Sequence, residues 1–209
     1  MIYLAGSIAI AVAVFAYVRL QKPKSELPVL HVPRTTDAEK SGARRLLVRP
    51  DGSEAKPYSD VRLAHEGGTL HVVLYASDHD IVTSGAPADG PMWKGDDFHV
   101  VFTRGTTSFA FDVDPSCTIT DGKRDGQGAW NYAWQSGAKA TCDTDGTVDE
   151  PGDNDEEWVV DLDIPMSAMD LGEKDTVDLS VRRCDIKERG GKPLVEPCPQ
   201  ITPVSLTFD

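Results

Sequence analysis

The sequence lacks the short motifs that mark the common enzyme classes. It has no G-x-S-x-G nucleophile motif, no H-E-x-x-H zinc motif and no glycine-rich phosphate-binding loop. Its four cysteines form no C-x-x-C pair, and it has no C-x-x-C-H haem-attachment site. Glycosidases use two carboxylates set across a cleft. Acidic residues are so abundant here that such a pair could arise by chance, so its presence would not indicate glycosidase activity. We therefore expect a protein that is not an enzyme.

Positive charge is scarce in most of the chain. The 209 residues carry 21 Lys and Arg against 34 Asp and Glu, a net charge of −13 at pH 7. After residue 49 the imbalance grows to thirteen basic against thirty-one acidic residues. A surface this acidic repels phosphate backbones, so no nucleic acid is expected as a partner. Acidity also keeps a protein soluble, which is an alternative explanation that needs no partner at all.

Helical periodicity is scarce as well. Apolar stretches after residue 43 are short, and Gly, Pro, Asp and Thr separate them, which is typical of strands and turns. Apolar residues alternate most clearly in EWVVDLDI (157–164), whereas residues 116–137 are expected to be irregular. The segment 44–49 is a candidate first strand, and eight further strands are predicted at 61–65, 69–76, 97–104, 108–114, 138–143, 157–164, 176–183 and 204–208. The sequence thus predicts an all-β, antiparallel β-sandwich.

One long apolar run is present, at the N-terminus. Residues 2–18 are all apolar or small, and basic residues follow them, as Arg19, Lys22 and Lys24. The run is long enough for a short membrane span. We therefore expect a transmembrane signal anchor over residues 1–18, with a cleaved signal as the alternative. A proline-containing linker over 19–43 would join it to a domain over 44–209.

The compartment follows from two opposing patterns. Basic residues after the apolar run would keep the domain in the cytoplasm by the positive-inside rule. Four cysteines in the acidic part instead favour an oxidising compartment. We expect a membrane-anchored protein whose domain lies in the periplasm or outside the cell.

The cysteines are Cys117, Cys142, Cys184 and Cys198. An even number behind an apolar N-terminus predicts two disulfides, the alternative being four free thiols in a cytosolic protein. Three pairings are possible. We predict Cys117–Cys142 with Cys184–Cys198, because each bridge would join sequence neighbours across an irregular segment. The first would order a 25-residue segment rich in aromatic residues.

Four segments, in this order, resemble the family 9 carbohydrate-binding modules and the wider DOMON-like group. They are VRLAHEGGTLHVVLYASDHDI (61–81), PMWKGDDFHVVF (91–102), FAFDVDP (109–115) and EWVVDLDIPMSAM (157–169). The resemblance covers residues 44–209. It implies a jelly-roll-like sandwich that grips the end of a sugar chain between aromatic rings. It also implies that bound calcium is common and usually structural, and that some relatives bind haem.

Some functional residues of the family are present at the matching positions of this sequence, and others are not. Trp93 stands at the position of the family's stacking tryptophan, and Asp96 matches the aspartate three residues on. His99 replaces a glutamate of the family, and Asp112 replaces a polar or cationic residue. Residues 195–204 lack the aromatic residue that forms the second wall of the sugar clamp. The resemblance therefore implies the fold more strongly than the sugar site.

The remaining aromatic residues suggest a second wall. Sugar rings stack their apolar C–H faces on aromatic rings, while carboxylates and amides bind the hydroxyls. Trp130, Tyr132 and Trp134 alternate around Asn131, so an extended segment would place all three on one face. The alternatives are a loop Trp93 folded onto the sandwich edge and an aromatic cluster that caps a thin core. The predicted glycan site contains Trp93, Trp130 and Trp134 for stacking and Asp96, Asp112 and Asn131 for hydrogen bonding.

The sequence is also compatible with ligands other than a glycan. Calcium is a possible cofactor because four carboxylates could gather at one end of the sandwich, namely Asp78, Asp80, Asp96 and Asp97. The acidic stretch 143–157 lacks EF-hand spacing and is expected to be a solvated loop. Haem ligation by Met92 and Lys94 is disfavoured, because such close positions on one loop do not easily take opposite axial sites. The alternatives to a glycan-binding module are a structural or protein-interaction sandwich that has lost the sugar site, and a haem- or calcium-binding relative.

Overall fold

Two mostly antiparallel β-sheets make up the computed structural model, which describes residues 27–150, 152 and 154–209. The predicted anchor over residues 1–18 lies outside the described residues. Within the described part, no helix is long and apolar enough to cross a bilayer. The only α-helix there is a single turn, α1 (Ala38–Ser41).

The described residues form eleven strands, which are β1 (Val29–Val32), β2 (Ala43–Leu46), β3 (Ser59–Glu66), β4 (Thr69–Ser77), β5 (Asp97–Arg104), β6 (Thr107–Val113), β7 (Ile119–Asp125), β8 (Lys139–Asp145), β9 (Glu157–Pro165), β10 (Thr176–Cys184) and β11 (Val204–Phe208). One sheet has the order β1-β11-β10-β5-β6-β7, and the other has the order β2-β3-β4-β9-β8. Strands β1 and β11 are parallel, and the other neighbours are antiparallel.

The core lies between the two sheets and follows from alternation along the strands. In β9, Trp158, Val160 and Leu162 point inward and are buried, while the residues between them face outward. Across the core, the ring of Phe98 in β5 lies 5.0 Å from that of Trp158. Burial of each large apolar side chain contributes about 1.5–3 kcal/mol to folding. The predicted β-sandwich is confirmed at this level.

Two strands form where the sequence predicts none. The expectation of an irregular segment over 116–137 is wrong for residues 119–125. Their sequence, ITDGKRD, shows no apolar alternation, yet it forms β7 and pairs along the whole of β6. Strand β1 lies within the predicted linker 19–43 and pairs with β11. Both strands are short or polar sheet edges, where pairing with an existing neighbour supplies the stabilisation that local sequence does not.

Both predicted disulfides are present. Cys117–Cys142 has a Cα–Cα distance of 5.7 Å and links the segment before β7 to β8. It therefore ties the edge of one sheet to the edge of the other. Cys184–Cys198 has a Cα–Cα distance of 5.1 Å and fixes the segment after β10. The predicted connectivity is confirmed.

The outer face of the six-stranded sheet positions the candidate site. His99 in β5 lies opposite Asp112 in β6, and Asp112 lies opposite Thr120 in β7. Directly opposed residues of neighbouring strands project from the same face of a sheet. The three side chains therefore form a polar row across the outside of the sheet.

Candidate functional site

An open cavity of about 410 Å³ lies at one end of this polar row. It combines two aromatic rings with carboxylates, a hydroxyl and one lysine. Its lining residues are Asp89, Gly90, Pro91, Trp93, Lys94, Asp112, Thr120 and Tyr132. We call it the aromatic cavity.

Trp93 is held in an exposed position by its neighbour. It lies in a short 3₁₀ turn, Met92–Lys94, whose first residue, Met92, is buried. The Ser84 hydroxyl lies 3.4 Å from the Met92 sulfur. Because Met92 anchors the turn in the protein, the Trp93 side chain projects outward and is 68% exposed. The alternative of a tryptophan folded onto the sandwich edge does not describe this position.

Tyr132 forms the second aromatic wall. Lys123 of β7 and Asn131 exchange two backbone hydrogen bonds of 3.2 and 2.8 Å, which dock the aromatic segment on the sheet edge. Tyr132 and Trp130 both lie against Gly122 of β7, where a Cβ atom would be 3.2 Å from the tyrosine ring. The absence of a side chain at Gly122 therefore lets the Tyr132 ring approach the sheet.

The floor of the cavity is polar. Asp112 is hydrogen-bonded to His99 Nδ1, and the Thr120 hydroxyl donates to Gly90 O at 2.7 Å. Burial raises the pKa of Tyr132, and the charge of Asp112 raises it further, while Arg124 opposes the shift. The tyrosine therefore keeps its proton and can donate or accept a hydrogen bond near Asp112.

The sequence-predicted aromatic group divides between two places. Trp130 flanks the cavity wall, with the Arg124 guanidinium 4.3 Å from its ring centroid. Trp134 instead packs between the sheets against Phe109 and Phe111. The reason is a turn after Asn131, whose side chain accepts a hydrogen bond from Ala133 N at 3.1 Å.

That turn breaks the expected alternation. Trp130 and Tyr132 share a face, and Trp134 does not. Asn131 is exposed beside the cavity but does not line it. Tyr132, which was expected only as part of the aromatic group, is the member that lines the cavity together with Trp93. Asp89, Lys94 and Thr120 were not anticipated, since polar loop residues carry no local signal for a cavity.

Asp96 lies away from the aromatic cavity. It is 0% exposed, and its two carboxylate oxygens accept hydrogen bonds from Val82 N and Ile186 N, each at 2.7 Å. A side chain that is fully enclosed and bonded to the backbone on both oxygens cannot contact a ligand on the surface. Asp96 therefore connects three segments of the chain and does not contribute to the sugar site as predicted.

The carboxylates that gather at one end of the sandwich are not the predicted set. Asp96 meets Asp78 and Asp185, with ligand atoms within 4.8 Å of one another, and all three are buried. Asp97 is on the outer face of the six-stranded sheet, and Asp80 lines a different cleft. Burial raises the pKa of Asp96 to about 9, with the charge of Asp78 adding to the shift. Burial also raises the pKa of Asp185 to about 6.

Calcium does not fit this cluster. The Arg183 guanidinium lies 2.6 Å from Asp78 Oδ2 and 3.4 Å from Asp185 Oδ2, so a positive charge already occupies the centre. Asp78 Oδ2 also accepts from Trp158 Nε1 at 3.1 Å. Calcium requires six to eight oxygen ligands, and most oxygens here already accept hydrogen bonds. Arg183 supplies the positive charge of this carboxylate cluster.

Comparisons with known proteins bear on the fold. No family profile matches the sequence, and no curated protein matches it. A proposed carbohydrate-binding protein from Bacteroides uniformis has a similar structure, with a TM-score of 0.64 and 11% identity, over 88% of this chain and 100% of that one. A family 9 carbohydrate-binding module from Caldicellulosiruptor kristjanssonii, solved with cellotriose, has a TM-score of 0.53 and 8% identity, over 87% of this chain and 93% of that one. At these identities the likeness shows that the chain shares the fold of carbohydrate-binding modules.

Proposed function

We propose that this chain is a non-catalytic carbohydrate-binding module that holds a glycan in the aromatic cavity. One observation carries the proposal: two exposed aromatic rings, Trp93 and Tyr132, border a single cavity with a carboxylate in its floor. This combination of apolar walls and convergent polar groups matches the two surfaces of a sugar ring.

Each part of the cavity has a role in this proposal. Trp93 and Tyr132 stack on the apolar faces of one sugar unit. Asp112, oriented by His99, accepts hydrogen bonds from sugar hydroxyls, and Lys94 donates to them. Trp130 and Asn131 lie next to Tyr132 in the chain but outside the lining of the cavity. The similarity of the fold to carbohydrate-binding modules supports the proposal.

Binding to immobilised polysaccharides tests this function. The chain should be retarded in affinity electrophoresis by at least one of cellulose, xylan, mannan, laminarin, chitin and starch derivatives. Trp93→Ala and Tyr132→Ala should each weaken the retained interaction by about 1–2 kcal/mol, or roughly five- to thirtyfold. Leu194→Ala is the matched control, because Leu194 is also an exposed apolar residue but does not line the cavity.

The result distinguishes the two main alternatives. No retardation by any of these polysaccharides would favour a structural or protein-interaction sandwich that has lost the sugar site. Equal affinity of wild type, Trp93→Ala and Tyr132→Ala for a retained polysaccharide would place the sugar site elsewhere. The melting temperature of both variants should stay close to that of wild type, because neither side chain belongs to the buried core: Trp93 is 68% exposed and Tyr132 is 43% exposed.

We also propose that residues 2–18 tether the domain to a membrane and that the domain lies outside the cytoplasm. The two disulfides support an oxidising compartment. Alkaline phosphatase fused after Asp209 should be active in a bacterial host, while a fluorescent protein that folds only in the cytoplasm should stay dark. The opposite pattern would restore the topology that the positive-inside rule favours.

A further inference from the structure

A second cavity adjoins the aromatic cavity. It has a volume of about 680 Å³ and lies where the edges of the two sheets face each other, between β7 and β8. Asp89 lines both cavities. The second cavity has no aromatic residue in its lining and presents hydroxyl, amide, carboxylate and ammonium groups. We call it the polar cavity.

The boundary between the two cavities is a hydrogen-bonded pair of exposed side chains. Gln135 Nε2 donates to Asp89 Oδ2 at 3.1 Å. The Asp89 backbone is fixed to the sheet edge by its N–H, which donates to Ile119 O at 3.3 Å. Within the described residues, Asp89 Oδ1 and Gln135 Oε1 accept no hydrogen bond. Two acceptor oxygens therefore remain available at the junction of the two cavities, and the hydrogen bond between Asp89 and Gln135 fixes their direction.

A buried carboxylate fixes part of the wall of the polar cavity. Asp121 of β7 lines the cavity and is 6% exposed. Its Oδ2 accepts hydrogen bonds from the backbone N–H of Ser136, at 2.8 Å, and from the Ser136 hydroxyl. Its Oδ1 has no hydrogen-bond partner among the described residues. Because Oδ1 is itself enclosed, Asp121 holds Ser136 at the wall of the polar cavity and does not offer this oxygen to a ligand.

We propose that the polar cavity is a second subsite, which binds the sugar units adjacent to the one held by Trp93 and Tyr132. This inference rests on the proposed function and adds that the ligand is an oligosaccharide chain rather than a single sugar. The aromatic cavity supplies stacking and the polar cavity supplies hydrogen bonds. The Asp89–Gln135 pair contacts the linkage between the two units.

The experiment compares fragments of one to four sugar units, prepared from whichever polysaccharide is retained in the binding panel, by titration calorimetry. Wild type should bind the three- and four-unit fragments at least tenfold more tightly than the single sugar. Gln135→Ala should lose most of that gain and keep its affinity for the single sugar within twofold. Gln127→Ala is the matched control, because Gln127 is an exposed glutamine that lines neither cavity.

A second variant tests whether the ligand occupies the volume of the polar cavity, independently of its hydrogen bonds. Ala88 is exposed and lines only the polar cavity. Ala88→Leu should therefore weaken the longer fragments and leave the single sugar unaffected. Equal wild-type affinity for all lengths, or a length-dependent gain that survives both Gln135→Ala and Ala88→Leu, would overturn the subsite while leaving the proposed function intact. If no polysaccharide is retained, the proposed function fails first, and the subsite fails with it.

Discussion

Asp97 should make the stability of the domain depend on pH near neutrality. It begins β5, is 3% exposed, and its Oδ1 has no hydrogen-bond partner among the described residues. Burial raises the pKa of Asp97 to about 7, and the charge of Asp112 adds to the shift, while Arg182 opposes it. The informative substitution is Asp97→Asn, which keeps the shape of the side chain and removes the titration.

The sign and size of the effect follow from linkage. An aspartate in an unfolded chain has a pKa of about 3.9, so the folded protein binds this proton more tightly than the unfolded chain. The stability that the proton contributes is fully present below about pH 4 and is lost as pH rises through 7. Between pH 5 and pH 8 the loss is roughly 2–3 kcal/mol, at about 1.4 kcal/mol for each pH unit up to the folded pKa.

Urea unfolding at pH 5, 6, 7 and 8 measures this effect. The free energy of unfolding of Asp97→Asn, relative to wild type, should rise by roughly 2–3 kcal/mol across that range. Using the difference removes contributions from the other buried carboxyls. Asp143→Asn, at an exposed position of β8, should differ from wild type by no more than about 0.5 kcal/mol throughout. A constant difference between Asp97→Asn and wild type would refute the raised pKa of Asp97.

Three further outcomes are expected. Gly122→Ala should push the Tyr132 ring outward and weaken glycan binding severalfold in titration calorimetry, with little change in melting temperature, because a Cβ there lies 3.2 Å from that ring. Arg183→Met should lower the free energy of unfolding by about 3–5 kcal/mol, because it leaves buried carboxylates without their cation; a wild-type melting temperature that falls with a chelator would contradict the assignment of Arg183 as the cation. Removing the 117–142 disulfide with Cys117→Ser and Cys142→Ser should cost roughly 3 kcal/mol in urea unfolding, from the added freedom of the unfolded chain, and an unchanged midpoint would contradict it.

The strands of the core were predictable because the local sequence of each strand shows which residues are buried. Alternation in β9 and in the hairpins of β3 with β4 and β5 with β6 reflects one buried and one exposed face. Strand β7 was not predictable, since its polar sequence gains stability only from pairing with β6. The disulfides were predictable because each joins short sequence separations around irregular segments.

The candidate site was predictable in part. Trp93 stood out because a loop tryptophan among Pro and Gly residues has little apolar surface nearby to bury it. The separation of Tyr132 from Trp134 depends on one turn at Asn131, which sequence alternation does not reveal. Asp96 was misplaced because its role is set by backbone amides from two distant segments. The cation of the carboxylate cluster, Arg183, comes from a strand far away in sequence, so no local pattern pointed to it.

The pairing of β1 with β11 decides where the rest of the polypeptide joins the domain. Strand β1 is one edge of the six-stranded sheet and β7 is the other, so five strand spacings separate them. At about 4.8 Å for each spacing, the chain enters the domain about 24 Å from the edge that carries Tyr132. A purification tag or a solid support attached through residue 27 is therefore joined to the domain at the far side of the sheet. The point of attachment therefore lies away from the aromatic and polar cavities.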